Sequence, residues 1–204
     1  MQRVDLKKRF RHLYNPSSQK ISVVDVSEMN FLTVDGEGDP NITKDYSDAV
    51  EALYGVSYAL KFMLKKGPRK IDYPVMPLEG LWWADDMSKF SAENKAGWKW
   101  TAMIMQPGFI TKEMVEEAKG RVEEKKGPLP GIPKMRFDSF HEGRSAQILY
   151  LGPYSEEGPA IRKLHEFVAE QGHNLRGKHH EIYLGDPRRA KPERLKTVIR
   201  QPFE

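Results

Sequence analysis

Two glutamates stand where carboxylates are uncommon, inside β-rich runs beside aromatic side chains. They are Glu79 in Leu78-Glu79-Gly80-Leu81-Trp82-Trp83 and Glu181 in His179-His180-Glu181-Ile182-Tyr183. A carboxylate shielded from water costs free energy unless it is paired or hydrogen-bonded. Its pKa rises unless a cation or a donor opposes the burial. Such a group can anchor a cation, position a water or act as a general base. Side chains alternate along a strand, so His179, Glu181 and Tyr183 share one face and Ile182 and Leu184 take the other. That polar and aromatic face reads as a ligand wall, and a solvated sheet face would look the same. Glu181 is the candidate base or water-positioning group, with Tyr183 and His179 as candidate proton donors.

The tryptophans Trp82, Trp83, Trp98 and Trp100 crowd into one short stretch. Trp82 and Trp83 are adjacent and must face opposite sides of a strand, whereas Trp98 and Trp100 share a side. Some anchor a core, and the others could build a cage. Aromatic faces stack on planar ligands and attract cations by about 0.5–2 kcal/mol each. The candidate ligand-binding side chains are Trp82, Trp83, Trp100, Glu79, Tyr54, Tyr58 and Tyr150.

Other chemistries find little support. The chain has no cysteine, so it has neither a disulfide framework nor a thiolate nucleophile. No Gly-x-Ser-x-Gly elbow occurs. The acidic turn Asp35-Gly36-Glu37-Gly38-Asp39 fails the calcium-loop pattern, because Pro40 stands where glycine is needed. No Gly-Lys-Ser/Thr follows it, so it is no phosphate loop. His179 and Glu181 share a face without a third ligand at a telling spacing, so neither a metal nor a cofactor is expected. The 33 basic residues are interspersed with 29 acidic ones. A nucleic-acid reader concentrates its charge, so no nucleic-acid partner is expected.

These residues need elements to hold them. Hydrophobic residues at 39% and charged residues at 30% of 204 describe a globular chain. Asp5 caps a short predicted helix through Tyr14, an arm that could dock on the body. Residues 21–34 read as strand, and a turn follows. The apolar spacing Ala49, Leu53, Val56, Leu60, Met63 predicts a helix over about 45–65. Tyr46, Val50, Tyr54, Tyr58 and Phe62 form a second stripe that widens its buried face. Strands are expected over 73–83 and 97–106, and a helix over 111–126 capped by Thr111. Gly127 to Pro133 reads as an extended connector. Beyond it come a strand region over 135–151, a helix capped by Ser155, and strands over 179–184 and 195–201. The halves echo each other, down to Ile104-Met105-Gln106-Pro107 against Ile199-Arg200-Gln201-Pro202. The expected fold is α+β, a single domain over 1–204. It divides into two pseudo-symmetric βαββ halves, 21–126 with an extra helix and 134–204, with a ligand cleft between them. No apolar run approaches the length of a membrane span, and the basic N-terminus lacks the apolar region of a secretory signal. A cytoplasmic location is expected, and the oligomeric state is left open.

The stretches Val34-Asp35-Gly36-Glu37-Gly38-Asp39-Pro40-Asn41, Pro77 to Trp83 and His180 to Arg189 resemble the GyrI-like small-molecule-binding family. The resemblance runs from about residue 20 to the C-terminus. It implies βαββ units of the SHS2 type and a central cleft for planar aromatic, often cationic, drugs. It also implies a buried glutamate, here Glu181. A stand-alone subgroup is similar in the tryptophan motif. That subgroup is described as hydrolases that open the cyclopropane of yatakemycin-type DNA-alkylating compounds within an aromatic cage, to which Trp82, Trp83 and Trp100 could contribute. Two functions follow as expectations. One is a protective or sensing module that binds planar xenobiotics. The alternative is a cyclopropanoid cyclopropyl hydrolase, and the residues do not choose between them.

Overall fold

The computed structural model describes residues 1–85, 95 and 97–204. The chain opens with β1 (Gln2–Arg3), α1 (Leu6–Arg9) and α2 (Arg11–Tyr14), followed by β2 (Ser22–Val26) and β3 (Met29–Glu37). Next come α3 (Lys44–Lys66), β4 (Ile71–Asp72), β5 (Leu78–Trp83), β6 (Lys99–Gln106) and α4 (Lys112–Lys126). The last part holds β7 (Arg136–Phe140), β8 (Gly143–Leu151), α5 (Gly158–Glu170), β9 (His179–Tyr183) and β10 (Lys196–Pro202). Eight strands form one sheet in the order β2-β8-β10-β9-β5-β6-β3-β7, with every pairing antiparallel. The class is α+β, as expected. Exchanging β2 with β7, β3 with β8, β5 with β9 and β6 with β10 maps this order onto itself.

The expected strand over 21–34 is two strands. Only Ser27 and Glu28 separate β2 from β3, a reach of about 11 Å. Yet β2 is at one edge of the sheet and β3 lies next to the other, so the sheet must curl. The expected strand over 135–151 breaks the same way at His141 and Glu142, where Gly143 takes a left-handed φ of 72°. Over 73–83 only Leu78–Trp83 pairs, since Pro74 and Pro77 lack the N–H that a ladder requires.

Helices α3 and α5 cover one face of the sheet. On α3, Ala49, Leu53, Val56 and Leu60 are fully buried with Leu32, Val34, Ala102 and Ile104. Gln106 donates from Nε2 to Ser57 Oγ on α3 at 3.1 Å. On α5, Leu164 and Val168 pack on Ala146, Ile148 and Ile199. The second stripe of α3 departs from the expected buried face, because Tyr58 is 48% and Phe62 45% exposed. Tyr54, Tyr58 and Phe62 stack along the helix surface with centroids 6.4 Å apart. Thr111 caps α4 as expected, accepting from Met114 N. Ser155 does not cap α5. It lies in a 3₁₀ turn, Tyr154–Glu156, and Glu157 holds the cap position. The connector after α4 is docked rather than extended. Ile132 and Met135 are buried, and a Cβ at Gly131 would lie 2.6 Å from the Asp48 carbonyl oxygen of α3.

The arm α1–α2 lies on the opposite face. Asp5 caps it by accepting from Lys8 N, Leu6, Leu13 and Tyr14 are buried, and β1 pairs with β4 in a separate parallel ladder. Among the described residues no helix is long and apolar enough to cross a membrane.

Candidate functional site

The central strands β5 and β9 pair Gly80 with Glu181, Trp82 with His179 and Leu81 with His180. Alternation therefore sends Glu181, His179, Tyr183 and Trp82 to the helix-covered face. It sends Glu79, Trp83 and His180 to the face under the arm. The two faces are chemically different.

Under the arm runs a buried polar chain. Tyr14 donates its hydroxyl to Glu79 Oε1 at 2.6 Å. His180 lies 2.9 Å from Glu79 Oε2 through Nε2 and 2.9 Å from Glu142 Oε1 through Nδ1. Arg200 donates to Glu142 Oε2 at 3.0 Å, to Gln147 Oε1 at 3.0 Å and to the Leu13 carbonyl at 2.7 Å. Gln147 in turn donates to the His12 carbonyl at 2.6 Å. Glu79 is 0%, Glu142 2%, His180 1% and Arg200 1% exposed. Burial by itself would lower the His180 pKa. The charge and hydrogen bond of Glu142, and then those of Glu79, more than offset this and hold it at about 9. Burial would raise Glu142, but the His180 and Arg200 charges bring it down to about 2. Two carboxylates face two cations with every partner in place, which is the arrangement a buried ionic cluster needs to persist. Glu79 is thus committed to this cluster, away from the helix-covered face. Trp83 also lies on the arm side, where the Lys178 ammonium sits 3.3 Å from its ring centroid.

The helix-covered face gathers aromatic rings around one carboxylate. Trp82 donates from Nε1 to the Tyr183 hydroxyl at 3.0 Å. Tyr183 donates to Glu181 Oε2 at 2.7 Å, and His179 Nε2 lies 2.9 Å from Glu181 Oε1. Tyr46, in the first turn of α3, meets Trp100 edge-on at 5.0 Å and Trp82 at 5.7 Å. Trp98 meets Trp82 at 5.5 Å, and Tyr154 meets Tyr183 at 5.4 Å. Burial would raise the Glu181 pKa. The hydrogen bond and charge of His179, with the donors Tyr183 and Glu157, instead hold it below the ordinary carboxylate value. Burial beside Glu181 pushes the Tyr183 phenol well above its usual range.

The structure therefore brings together Glu181, Tyr183, His179, Trp82 and Trp100. Tyr54 lies at the margin, stacked on the exposed Tyr58. Tyr150 occupies the same face on β8 and donates its hydroxyl to the Pro153 carbonyl at 3.1 Å. Sequence reasoning missed Tyr46, Tyr154 and Glu157, which arrive from helix ends with no local motif. It also missed the cluster of Tyr14, His180, Glu142 and Arg200, whose members are far apart in the chain. Two signals were available in the mid-strand glycines, which mark close approach. A Cβ at Gly80 would lie 2.6 Å from Trp82 Nε1, and one at Gly36 would run into the six-membered ring of Trp100. Gly36→Ala is therefore expected to cost about 1–3 kcal/mol of stability by overpacking and to shift the tryptophan emission. Urea unfolding with fluorescence detection checks both. An unchanged midpoint would mean that Trp100 has room to move. Among the described residues no three His, Asp or Glu side chains converge as a metal ion would require.

The family model for the GyrI-like small molecule binding domain matches residues 19–203. An uncharacterized conserved protein from Listeria innocua is 39% identical, with 98% of this chain and 100% of that one covered and a TM-score of 0.90. A structure described as a hydrolase from the same organism is 37% identical, with full coverage of both chains and a TM-score of 0.89. The C-terminal domain of EcmrR, at 12% identity, covers 91% of this chain and 97% of its own with a TM-score of 0.55, and so shares the fold. A comparison with curated proteins finds no match. With the model spanning nearly its whole length, the chain belongs to the family of GyrI-like small molecule binding domains.

Proposed function

We propose that the helix-covered face, between the start of α3 and the start of α5, holds a planar aromatic small molecule, cationic ones included. Trp82, Trp100, Tyr46 and Tyr154 would form its walls and Glu181 its anionic floor. The two βαββ halves, 21–126 and 134–204, would meet at this site. The observation that carries the reading is the contrast between the two faces. Under the arm each carboxylate has a cation. Over Glu181, among the described residues, hydrogen bonds come from His179, Tyr183 and Glu157 and none comes from a lysine or arginine. Glu181 has the His179 ring beside it but, among the described residues, no arginine such as the one that balances the arm-side cluster, and a buried carboxylate so placed favours a ligand that brings positive charge or a proton. Surrounding rings add stacking and cation–π attraction. The role is cellular protection or sensing.

A second reading adds catalysis, and the relatives described as hydrolases favour it. In it, Glu181 takes a proton from water, and the water adds to an activated, strained carbon such as the cyclopropane of yatakemycin-type compounds. Tyr183 and His179 hold Glu181 in place.

The test of binding is tryptophan quenching by a planar aromatic cation and by its neutral ring analogue. Saturation near one equivalent is expected, with the cation favoured about tenfold, equivalent to 1.4 kcal/mol. Loss of binding in Trp82→Ala supports the location, and binding unchanged in that variant places the ligand elsewhere. For catalysis, a yatakemycin-type compound is incubated with the protein and its mass followed. Gain of one water supports the second reading. Unchanged ligand at full occupancy rejects it for that compound.

A further inference from the structure

Glu157 precedes α5 at the cap position, yet its side chain does not cap the helix. Instead it turns toward the sheet and hydrogen-bonds Glu181. Its Oε2 is buried and, among the described residues, has no hydrogen-bond partner. Two carboxyl groups in contact inside a protein cannot both be ionised at modest cost, so such a pair retains a proton. We propose that Glu157 and Glu181 form an acid–base pair holding one shared proton, with Glu157 the residue that hands it to the bound molecule. The proposal rests on reading this face as the ligand site, and it adds a second reacting carboxyl to it.

The surroundings decide which partner holds the proton. Glu181 receives Tyr183 and faces His179, both of which favour its ionised form. Among the described residues Glu157 has no such donors, and it is pushed well above the ordinary carboxyl range by burial, by the Glu181 charge and by their hydrogen bond. Lys95 opposes this only in part. The other titratable groups facing the pair are Tyr46 from α3, Tyr154 from the 3₁₀ turn and, behind His179, His165 from α5. The phenols of Tyr46 and Tyr154 are held well above neutrality, mainly by burial. Glu157 is therefore the acid available at neutral pH.

In a hydration the proton balance closes on this pair. Glu181 takes a proton from water as the water oxygen bonds to carbon. The breaking bond leaves its electron pair on a conjugated carbonyl oxygen, which takes the proton of Glu157. Glu181 then returns its new proton to Glu157 through their hydrogen bond. The sum is one water added, with no other reactant.

Infrared spectra of the whole chain at pH 7 test the pair without any ligand. The parent should show the carbonyl band of a protonated carboxylic acid, shifted in heavy water and absent from Glu157→Gln. A missing band in the parent, or one that survives in Glu157→Gln, overturns the pair. Glu157→Asp, which keeps the acid, serves if the glutamine variant does not fold. Where the parent adds water to a yatakemycin-type compound, Glu157→Gln should lower kcat by about 10²–10⁴-fold with Kd unchanged. The alkaline fall in rate should disappear with it. A parent-like kcat in that variant overturns the hand-over. A parent that binds the compound without turnover rejects the hydrolytic reading, and the band alone then judges the pair.

Discussion

Arg200→Met is expected to lower the unfolding free energy by about 3–5 kcal/mol, the cost of breaking a buried ion pair from one side. This would be a large part of the roughly 5–15 kcal/mol that holds a typical domain folded. Arg200 is 1% exposed, and three of its donors are committed to Glu142, Gln147 and the Leu13 carbonyl. Methionine fills a similar volume but supplies none of them. Glu142 then keeps only His180, while the Gln147 and Leu13 oxygens lose their donor. The arm should loosen as well, because Leu13 and His12 meet the sheet through this cluster. Urea unfolding measures the loss, and proteolysis near residue 15 reads the arm. Adding Glu142→Gln removes the stranded charge, so the double variant should lose less than the two single losses added together. Strict additivity would mean that the two residues do not act as a pair.

The same cluster sets a pH window for stability. His180 is raised to about 9 from 6.5. Its contribution is complete below pH 6.5 and is lost as pH rises through 9. Glu142 is lowered to about 2 from 4.5. Its contribution is present above pH 4.5 and is lost as pH falls through 2. The cluster therefore supports the fold best between about pH 4.5 and 6.5, and in Arg200→Met this dependence should flatten on the acid side.

Glu181→Gln is the second large effect. Where the parent adds water to a yatakemycin-type compound, the variant should lose about 10²–10⁴-fold in kcat. Affinity for a neutral aromatic ligand should stay within a few-fold. Glutamine keeps an oxygen that can accept from Tyr183, and the rings around it are unchanged. What it removes is the negative charge and the capacity to take a proton. A planar cation should therefore bind about tenfold more weakly, equivalent to 1.4 kcal/mol, while its neutral analogue does not. Mass spectrometry follows the water and tryptophan quenching follows the affinity. Parent-rate hydration in Glu181→Gln would remove Glu181 as the base, and equal weakening of both ligands would point to a lost shape rather than a lost charge.

Much of the fold was legible because it depends on local spacing. Alternation placed His179, Glu181 and Tyr183 on one face, and β9 has that arrangement. Helical spacing located α3 to within a residue at each end, and Thr111 marked the start of α4. The misses share one cause. Tyr58 and Phe62 continue an apolar stripe by spacing, but their exposure depends on how far the sheet extends beneath α3. The breaks at Ser27–Glu28 and His141–Glu142 follow from which strands pair across the curl. Neither fact resides in a window of ten residues.

The two glutamates make the division plain. By type and neighbours, Glu79 and Glu181 are nearly equivalent, each a carboxylate in a β-rich run beside aromatic side chains. The sequence by itself determined that both stand in β-rich runs with aromatic rings near them, and it left open whether either faces water. Only the tertiary structure decided their chemistry. Register turns Glu79 to the arm, where Tyr14 and His180 engage it and Arg200 completes the balance of charge through Glu142. Register turns Glu181 to the helices, where Tyr183 and a second carboxyl, Glu157, meet it. The physical reason is that the state of a buried carboxylate is set by the charges and donors within a few ångströms of it; those of Glu79 come from distant parts of the chain, and so does the carboxyl of Glu157 that joins the local His179 and Tyr183 at Glu181.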